Sequence, residues 1–389
     1  MPSYISSNAN RFYTAVESSY AQAAAVTPAN RFPANRLHAQ QVVVQGRRLD
    51  KTGTRTFLGS SRNGRRRTAF QVQTYLTSWS GAGQPCYGPL FQATLGAMPQ
   101  LSTGLIVNST VNSTTIQTIA AHGLSVGCAV SYGGEIRFVV NVPDVSTIAI
   151  NAPFSQAPTA NGSLCPALTY SLSTSLPSVT LYDYWDAASP ISRVISGAAV
   201  DSLEISVNGD YHNFVFAGPA ADILDAGSFQ PGNAGLSSYP EEPTIGNFDY
   251  RGVPGHLGQV WLGQPTSQFF TLTDATVQIN NNVETRQREF GSCFPTAVVP
   301  GERQVKSRFS LLVQDDTETS ALYAAAKQRN CISAMLQLGQ QQGQLMGIYM
   351  PNVTPEMPDY VDSDLRLAWA FNNNFAQGTA DDEIYIAFA

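Results

Sequence analysis

Charge is what this sequence lacks. Asp, Glu, Lys and Arg make up only 13% of it, about half the share of an ordinary soluble domain. No run approaches 18 consecutive apolar residues, so no membrane-spanning helix is expected. The opening stretch MPSYISSNANRFYTAVESSY has no basic segment leading into an apolar one, so it does not read as a secretory leader. Cysteines are few, odd in number and far apart (Cys86, Cys128, Cys165, Cys293, Cys331), and never form Cys-x-x-Cys. That spacing argues for reduced thiols made in a cytoplasm, against a disulfide framework or a zinc site. The four histidines are scattered, and neither His-Glu-x-x-His nor a phosphate-binding Gly-x-x-x-x-Gly-Lys occurs. One Gly-x-Ser-x-Gly stands at Gly123–Gly127, after His122. A nucleophile elbow needs a helix behind it. Strand-like sequence follows here, so the motif reads as a turn. Carboxylates cluster at Asp183/Asp186, Asp315/Asp316 and Asp381/Asp382/Glu383. A glycosidase pair is the weaker reading, because Asp315/Asp316 sit where a helix start wants negative charge and 378–382 reads as the turn before the last strand. No catalytic residue, metal or cofactor is expected.

What is present points to a large β-rich body. A chain of 389 residues with 43% apolar content can bury two cores, or one core plus an insertion. The scarce charge is also uneven. Residues 1–100 carry 11 Lys+Arg against 2 Asp+Glu; residues 201–389 carry 9 against 22. The basic cluster is Arg47, Arg48, Lys51 and Arg55, then Arg62, Arg65, Arg66 and Arg67. It could be a nucleic-acid patch, a solvated loop, or a contact with the acidic surface of another copy. The acidic balance of the rest favours contact between copies.

Along the chain, residues 1–40 show no clear period and read as an extended arm ordered by a partner. Strand signals dominate afterwards. Phe70–Leu76 alternates, and residues 104–170 hold short strands separated by Gly, Pro and Asn, as in an inserted β module. Asp201–Val207 and Tyr211–Phe216 flank Asn208-Gly209-Asp210, a hairpin signal. A short helix is expected at 219–226, with Pro219 at its first position. Residues 227–258, rich in Gly, Pro, Ser and Asn, read as a linker. One helix is well marked over Thr317–Gln328, with acidic residues before it and Lys327 and Arg329 at its end. The domain reading is therefore an arm at 1–40, a first domain at 41–226 carrying the insertion at about 104–170, a linker at 227–258, and a second domain at 259–389.

Two segments share a plan. Arg55-Thr56-Phe57-Leu58-Gly59, a basic loop, the strand at Phe70 and Leu90–Gly96 match Arg288-Glu289-Phe290-Gly291, a loop through Arg303, the strand at Phe309 and Ser333–Gly339. This implies duplication.

The segments DSLEISVNGDYHNFVFAGPAADILD (201–225), LTDATVQINNNVETRQREFG (272–291), VPGERQVKSRFSLLVQDD (299–316), LQLGQQQGQLMGIYMPNV (336–353) and WAFNNNFAQGTADDEIYIAF (369–388) resemble the major tail tube proteins of long-tailed bacteriophages. The resemblance implies a mainly β fold: two tandem β-sandwich or half-barrel domains, each with a flanking helix, plus a small β insertion. It also implies a structural protein of the virion tail, assembled in the host cytoplasm. Such chains form rings that stack into a tube through which DNA is ejected. Its partners would be itself (a trimeric ring with pseudo-sixfold symmetry), tail-tip and tail-terminator proteins, and passing double-stranded DNA without specific binding. No membrane partner or cofactor is implied. Arg47, Arg48, Arg55, Arg62, Arg65, Arg66 and Arg67 would then contact the next subunit or ring. Glu204, Asp210, Asp274, Glu284, Asp381, Asp382 and Glu383 are acidic candidates for the lumen or an interface. Another virion component, at the tail tip or as a capsid decoration, and a glycan-binding β protein are the alternative readings.

Overall fold

The computed structural model describes residues 4–60, 64–185, 191–244, 250–362 and 365–389. The fold is mainly β, with 45% strand and 8% helix, and its largest sheet curls into a half-barrel of fifteen strands. From neighbour to neighbour the path runs Ser267–Phe269, Gly258–Gly263, Ile332–Leu338, Met346–Thr354, Ala368–Ala376, Gln304–Leu312, Leu272–Asn280, Ser202–Val207, Asn213–Ala220, Arg65–Tyr75 and Arg36–Val44. The sheet is continuous across the two halves of the chain, because Ser202–Val207 pairs directly with Leu272–Asn280. Alternation explains its two faces. Leu203, Ile205, Val277, Ile279, Phe309 and Phe214 are buried on one side. Glu204, Gln278 and Lys306 lie in register on the other.

The concave side closes over the helix Gly88–Leu95, all eight residues of which are buried. Phe91 is its hub, with ring centroids 5.3 Å from Phe214, 5.2 Å from Phe216 and 5.2 Å from Phe388. The second helix, Thr317–Gln328, lies on the flank and buries only Thr319, Leu322 and Ala326. Its expected caps are in place: the Asp316 carboxylate accepts from the Thr319 N–H at 2.6 Å, and Arg329 ends it in the left-handed region.

The described part of the expected arm at 1–40 is not extended away from the fold. Arg11–Val16 is a strand in a second sheet, ordered Asp222–Asp225, Arg193–Ala198, Val179–Tyr184, Arg11–Val16 and Arg31–Phe32. Phe12 and Tyr13 are 4% and 1% exposed. This strand is covered on both faces, so it has no alternation for a sequence reading to detect. Glu17, also buried, ties the following segment down. Its carboxylate accepts from the Ser178 and Thr180 hydroxyls at 2.6 and 2.7 Å and from the Gly197 and Ala21 N–H groups at 2.8 and 2.9 Å.

The helix expected at 219–226 is instead the end of one strand, Asn213–Ala220, and the next, Asp222–Asp225. Pro219 pairs with Ala69 but lies beyond the Ser202–Ala217 pair, where no ladder on its other side needs its missing N–H. The start of the expected linker at 227–258 packs onto the fold instead of spanning open space. Phe229, Leu236 and Tyr239 pack against Tyr184 and its neighbours in the second sheet.

The insertion is a five-stranded sheet, Val107–Asn112, Thr115–Thr118, Thr147–Ile150, Glu135–Asp144 and Ala129–Tyr132, over its own core of Val107, Ile116, Val139 and Ile148. Arg137, fully buried, locks it to the main sheet. Its guanidinium donates to the Pro153 and Ile136 carbonyls and to the Gln337 and Gln259 side chains at 2.7–3.1 Å. It pairs with Glu135 at 3.3 Å and lies over the rings of Phe154 and Trp261. Every buried donor needs an acceptor, and this cage supplies them.

His212 gives the fold a pH dependence. Its Nε2 donates to the Leu257 carbonyl at 3.1 Å, while Nδ1 is buried with no partner among the described residues. A second proton would place an unsolvated charge at Nδ1, so burial pulls its pKa down from 6.5 to about 4; His256 pulls the same way, against the Leu257 bond. The unfolded chain then binds more protons between about pH 6.5 and 4, and stability falls as pH drops through that window. The expected loss is about 3 kcal/mol at pH 4 relative to pH 7. Urea titrations of the wild type and His212→Gln across pH 4–7 check this: the wild type should lose that increment relative to the variant. Parallel curves would contradict it.

Candidate assembly interface

The basic cluster sits on one projecting hairpin. Arg36–Val44 pairs with Arg65–Tyr75 from Arg36↔Gln73 to Val44↔Arg65. The neighbouring strand stops at Ala220, opposite Thr68. The hairpin therefore runs three residues past the sheet, about 10 Å at 3.3 Å per residue. Among the described residues Arg36–Val44 ends the strand order, so its outer edge offers unpaired N–H and C=O groups. Residues 42–58 are all exposed. They include Val42, Val43, Val44, Leu49, Phe57 and Leu58, an apolar set that a solvated loop has no reason to present.

The base of this hairpin is braced and its tip is not. Arg66 N–H donates to the Cys293 carbonyl at 2.8 Å, and its guanidinium lies 4.8 Å from the Phe294 ring centroid and 3.7 Å from Asp222. Burial pushes the Asp222 carboxyl up, against the pull of Gln41 and Arg66. Arg65 donates to the Arg288 carbonyl at 3.2 Å. Arg67 is exposed, and with Arg65, Arg286 and Arg288 it lines a groove of about 740 Å³. In the tip, Arg47 lies over Phe57 at 5.6 Å, Arg48 pairs with Asp50, and Arg55 is exposed. Each of these contacts is local. Arg62 lies outside the described residues.

A second hairpin repeats the plan. Leu272–Asn280 and Gln304–Leu312 are joined by a long loop, 281–303, and followed by a helix, as the first hairpin is. The two Phe-Gly signatures, Phe57-Leu58-Gly59 and Phe290-Gly291, fall in the two loops, and the strand that follows the first loop bonds the second loop through the Arg66 N–H and the Cys293 carbonyl. The match ends there. Leu90–Leu95 is helical, whereas its partner in the repeat, Ser333–Gly339, lies in a strand up to Leu338.

The acidic candidates are not gathered on one surface. Glu204 and Asp274 share the open face of the main sheet. Glu204 accepts from the Gln278 amide at 2.9 Å, and Lys306 and Arg308 line the same shallow groove. Asp210 sits in an exposed turn, and Glu284 lines the arginine groove. Asp381 and Glu383 pair with Arg303 at 3.0 and 3.4 Å. Asp382 caps its own turn, accepting from the Thr379 and Ala380 N–H groups. These last three are internal partners.

The Gly123–Gly127 motif is a turn, with Ser125 Oγ beside Cys128 Sγ at 3.3 Å. His122 accepts from the Leu124 N–H and bonds the Asp144 carbonyl through its other nitrogen, so neither ring nitrogen is paired with Ser125. Asp183 pairs with Arg193; Asp186 lies outside the described residues. All five cysteines are free thiols. Among the described residues, no group of three His, Cys, Asp or Glu is placed to hold a metal, and no helix is long and apolar enough to cross a membrane.

Sequence reasoning missed one surface. Around the strand Asp359–Val361, Met357, Tyr360, Val361, Leu365 and Leu367 are exposed. The run EMPDYVDSDLRL has no period of 2 or 3.6; its only signal is apolar residues set among acids.

No protein-family model and no curated protein matches this chain.

Proposed function

We propose that this chain is a structural protein that polymerises with copies of itself into a hollow tube, as the major tail tube proteins of long-tailed phages do. The observation that carries this reading is the projecting hairpin, with a free nine-residue edge strand and a tip combining exposed valines, leucines and Phe57 with arginines. A strand edge of that length, left bare, is a template for another chain. Covering it with the next subunit removes the liability and yields an assembly. Contacts within a ring close by rotation, and contacts between rings repeat without closing, giving a filament. The two long hairpins support a trimeric ring with pseudo-sixfold symmetry.

The open face of the main sheet suits a channel wall. Its charges alternate in sign, with Glu204 and Asp274 against Lys306 and Arg308, and Ser, Thr and Gln between them. DNA carries about one negative charge per 1.7 Å of axis, and tight binding needs a continuous basic track. A mixed wall lets it pass. In this reading the protein belongs to the virion tail, assembles in the host cytoplasm, and meets tip and terminator proteins at the two ends of the tube.

Sedimentation velocity on the purified chain tests the reading. The weight-average sedimentation coefficient should rise steeply with concentration at low salt, and the rise should shrink by 0.5 M salt as the charge contacts are screened. A single species of about 42 kDa at every concentration would sink it.

A further inference from the structure

The hairpin tip needs a counter-surface, and the registers of the main sheet locate one. Ser202, Asn280, Gln304 and Phe375 lie near one end of their strands, the end past which Arg65–Arg67 project. Val207, Ala275, Leu312 and Ala368 lie near the other. The strand Asp359–Val361 pairs with Ala370–Ala368, so it sits at that other end. It forms a shoulder whose solvent face carries Tyr360 (57% exposed), Val361, Met357, Leu365 and Leu367. Glu356, Asp359 and Asp362 are interleaved with them, and Arg366 is the one basic residue between 356 and 367.

We infer that the tip of one copy docks on the shoulder of the next copy that carries Met357, Tyr360, Val361, Leu365 and Leu367. This rests on the polymer reading and names the partner surface within it. Three observations favour a second copy as the occupant. The surfaces match in kind: an exposed apolar set interspersed along the chain with Arg47, Lys51 and Arg55 meets an exposed apolar set interspersed with Glu356, Asp359 and Asp362. A chain cannot satisfy itself easily, because Arg65–Tyr75 and Ala368–Ala376 are five strand steps apart, about 24 Å at 4.8 Å per step, and the two surfaces lie at opposite ends of the strands. Finally, surfaces at opposite ends of one body make a head-to-tail contact that translates rather than closes. The tip–shoulder contact is therefore the contact between stacked rings, and it gives the tube its direction.

A charge swap tests this. Three variants are compared with the wild type by sedimentation and electron microscopy, with circular dichroism to verify folding. The first carries Arg47→Glu, Lys51→Glu and Arg55→Glu; the second carries Glu356→Lys, Asp359→Lys and Asp362→Lys; the third carries all six. All six positions are partly or fully exposed, and among the described residues Asp359 is the one of the three acids that accepts a side-chain bond, from Asn372. Each triple reversal should raise the concentration needed for tubes by at least about 100-fold, because like charges then face each other across the contact. The six-fold variant should return to within about 10-fold of the wild type, and an equimolar mixture of the two triple variants should assemble where neither does alone. If the shoulder variant forms tubes as the wild type does, with the same salt dependence, the inference fails while the polymer reading stands. If both triple variants fold and fail but neither the mixture nor the six-fold variant recovers, the pairing of these two surfaces is wrong. A wild type that never assembles overturns both.

Discussion

Phe91→Ala should lower the stability of the folded subunit by about 3–5 kcal/mol. The ring sits inside the curled sheet, on a helix with no exposed residue, and meets Phe214, Phe216 and Phe388 at 5.2–5.3 Å and Tyr170 at 6.0 Å. The surrounding aromatics come from the sheet and its branches, and cannot collapse into the hole together without moving strands. The cavity term therefore adds to the lost transfer energy. Against a total of about 5–15 kcal/mol, such a loss leaves the subunit marginal. Phe91→Leu, which keeps most of the volume, should cost markedly less. Urea unfolding below the assembly concentration measures both, because polymerisation would otherwise add apparent stability. A loss under about 1 kcal/mol for the alanine variant would mean that the helix is not the plug of the half-barrel.

Removing the hairpin tip should have the opposite signature: assembly lost, fold kept. Joining Gln45 to Gly64 through Asn-Gly supplies a two-residue turn suited to an antiparallel pair. The exposed tip residues 46–58 contribute no side chain to the core, and the contacts of Arg47 and Arg48 stay within the tip. The subunit should keep its stability within about 1 kcal/mol, since shortening a flexible loop changes closure entropy only slowly. Tube formation should be absent at concentrations at least about 100-fold above the wild-type threshold, because each ring contact loses its apolar and charged anchors together. A shortened chain that forms tubes at the wild-type threshold would assign the hairpin no part in assembly.

The legible parts of this fold were those with one wet face. The hairpin expected at Asp201–Phe216 is found as Ser202–Val207 against Asn213–Ala220, and Asn208 turns it with φ of 67°. Thr317–Gln328 was readable at both ends, because capping acceptors and terminal charges are local signals that packing does not erase. Where both faces are covered, the periodic signal vanishes. Gly88–Leu95 has no polar side to mark it as a helix, and Arg11–Val16 has four successive buried residues that hide a strand. Pro219 shows a third kind of loss. Its fixed φ suits a helix start and a strand equally, and only the length of the neighbouring strand decides.

The interface divides in the same way. Its basic half was visible as composition, because arginines are rare in this chain and eight of the 22 Lys+Arg fall between 47 and 67. Its acidic, apolar half was not, because Met357, Tyr360 and Val361 follow no period and become a patch only when Asp359–Val361 is added to the strand Ala368–Ala376. Nor could sequence separate working carboxylates from structural ones. Asp381 and Glu383 look like surface acids until Arg303 is found between them.

The most direct test of the central claim is electron microscopy of the purified protein, concentrated at low salt. The account predicts hollow tubes built of stacked rings, with end-on views that show threefold symmetry on a sixfold outline and with every ring facing the same way. Uniform single particles of subunit size at every concentration would contradict it.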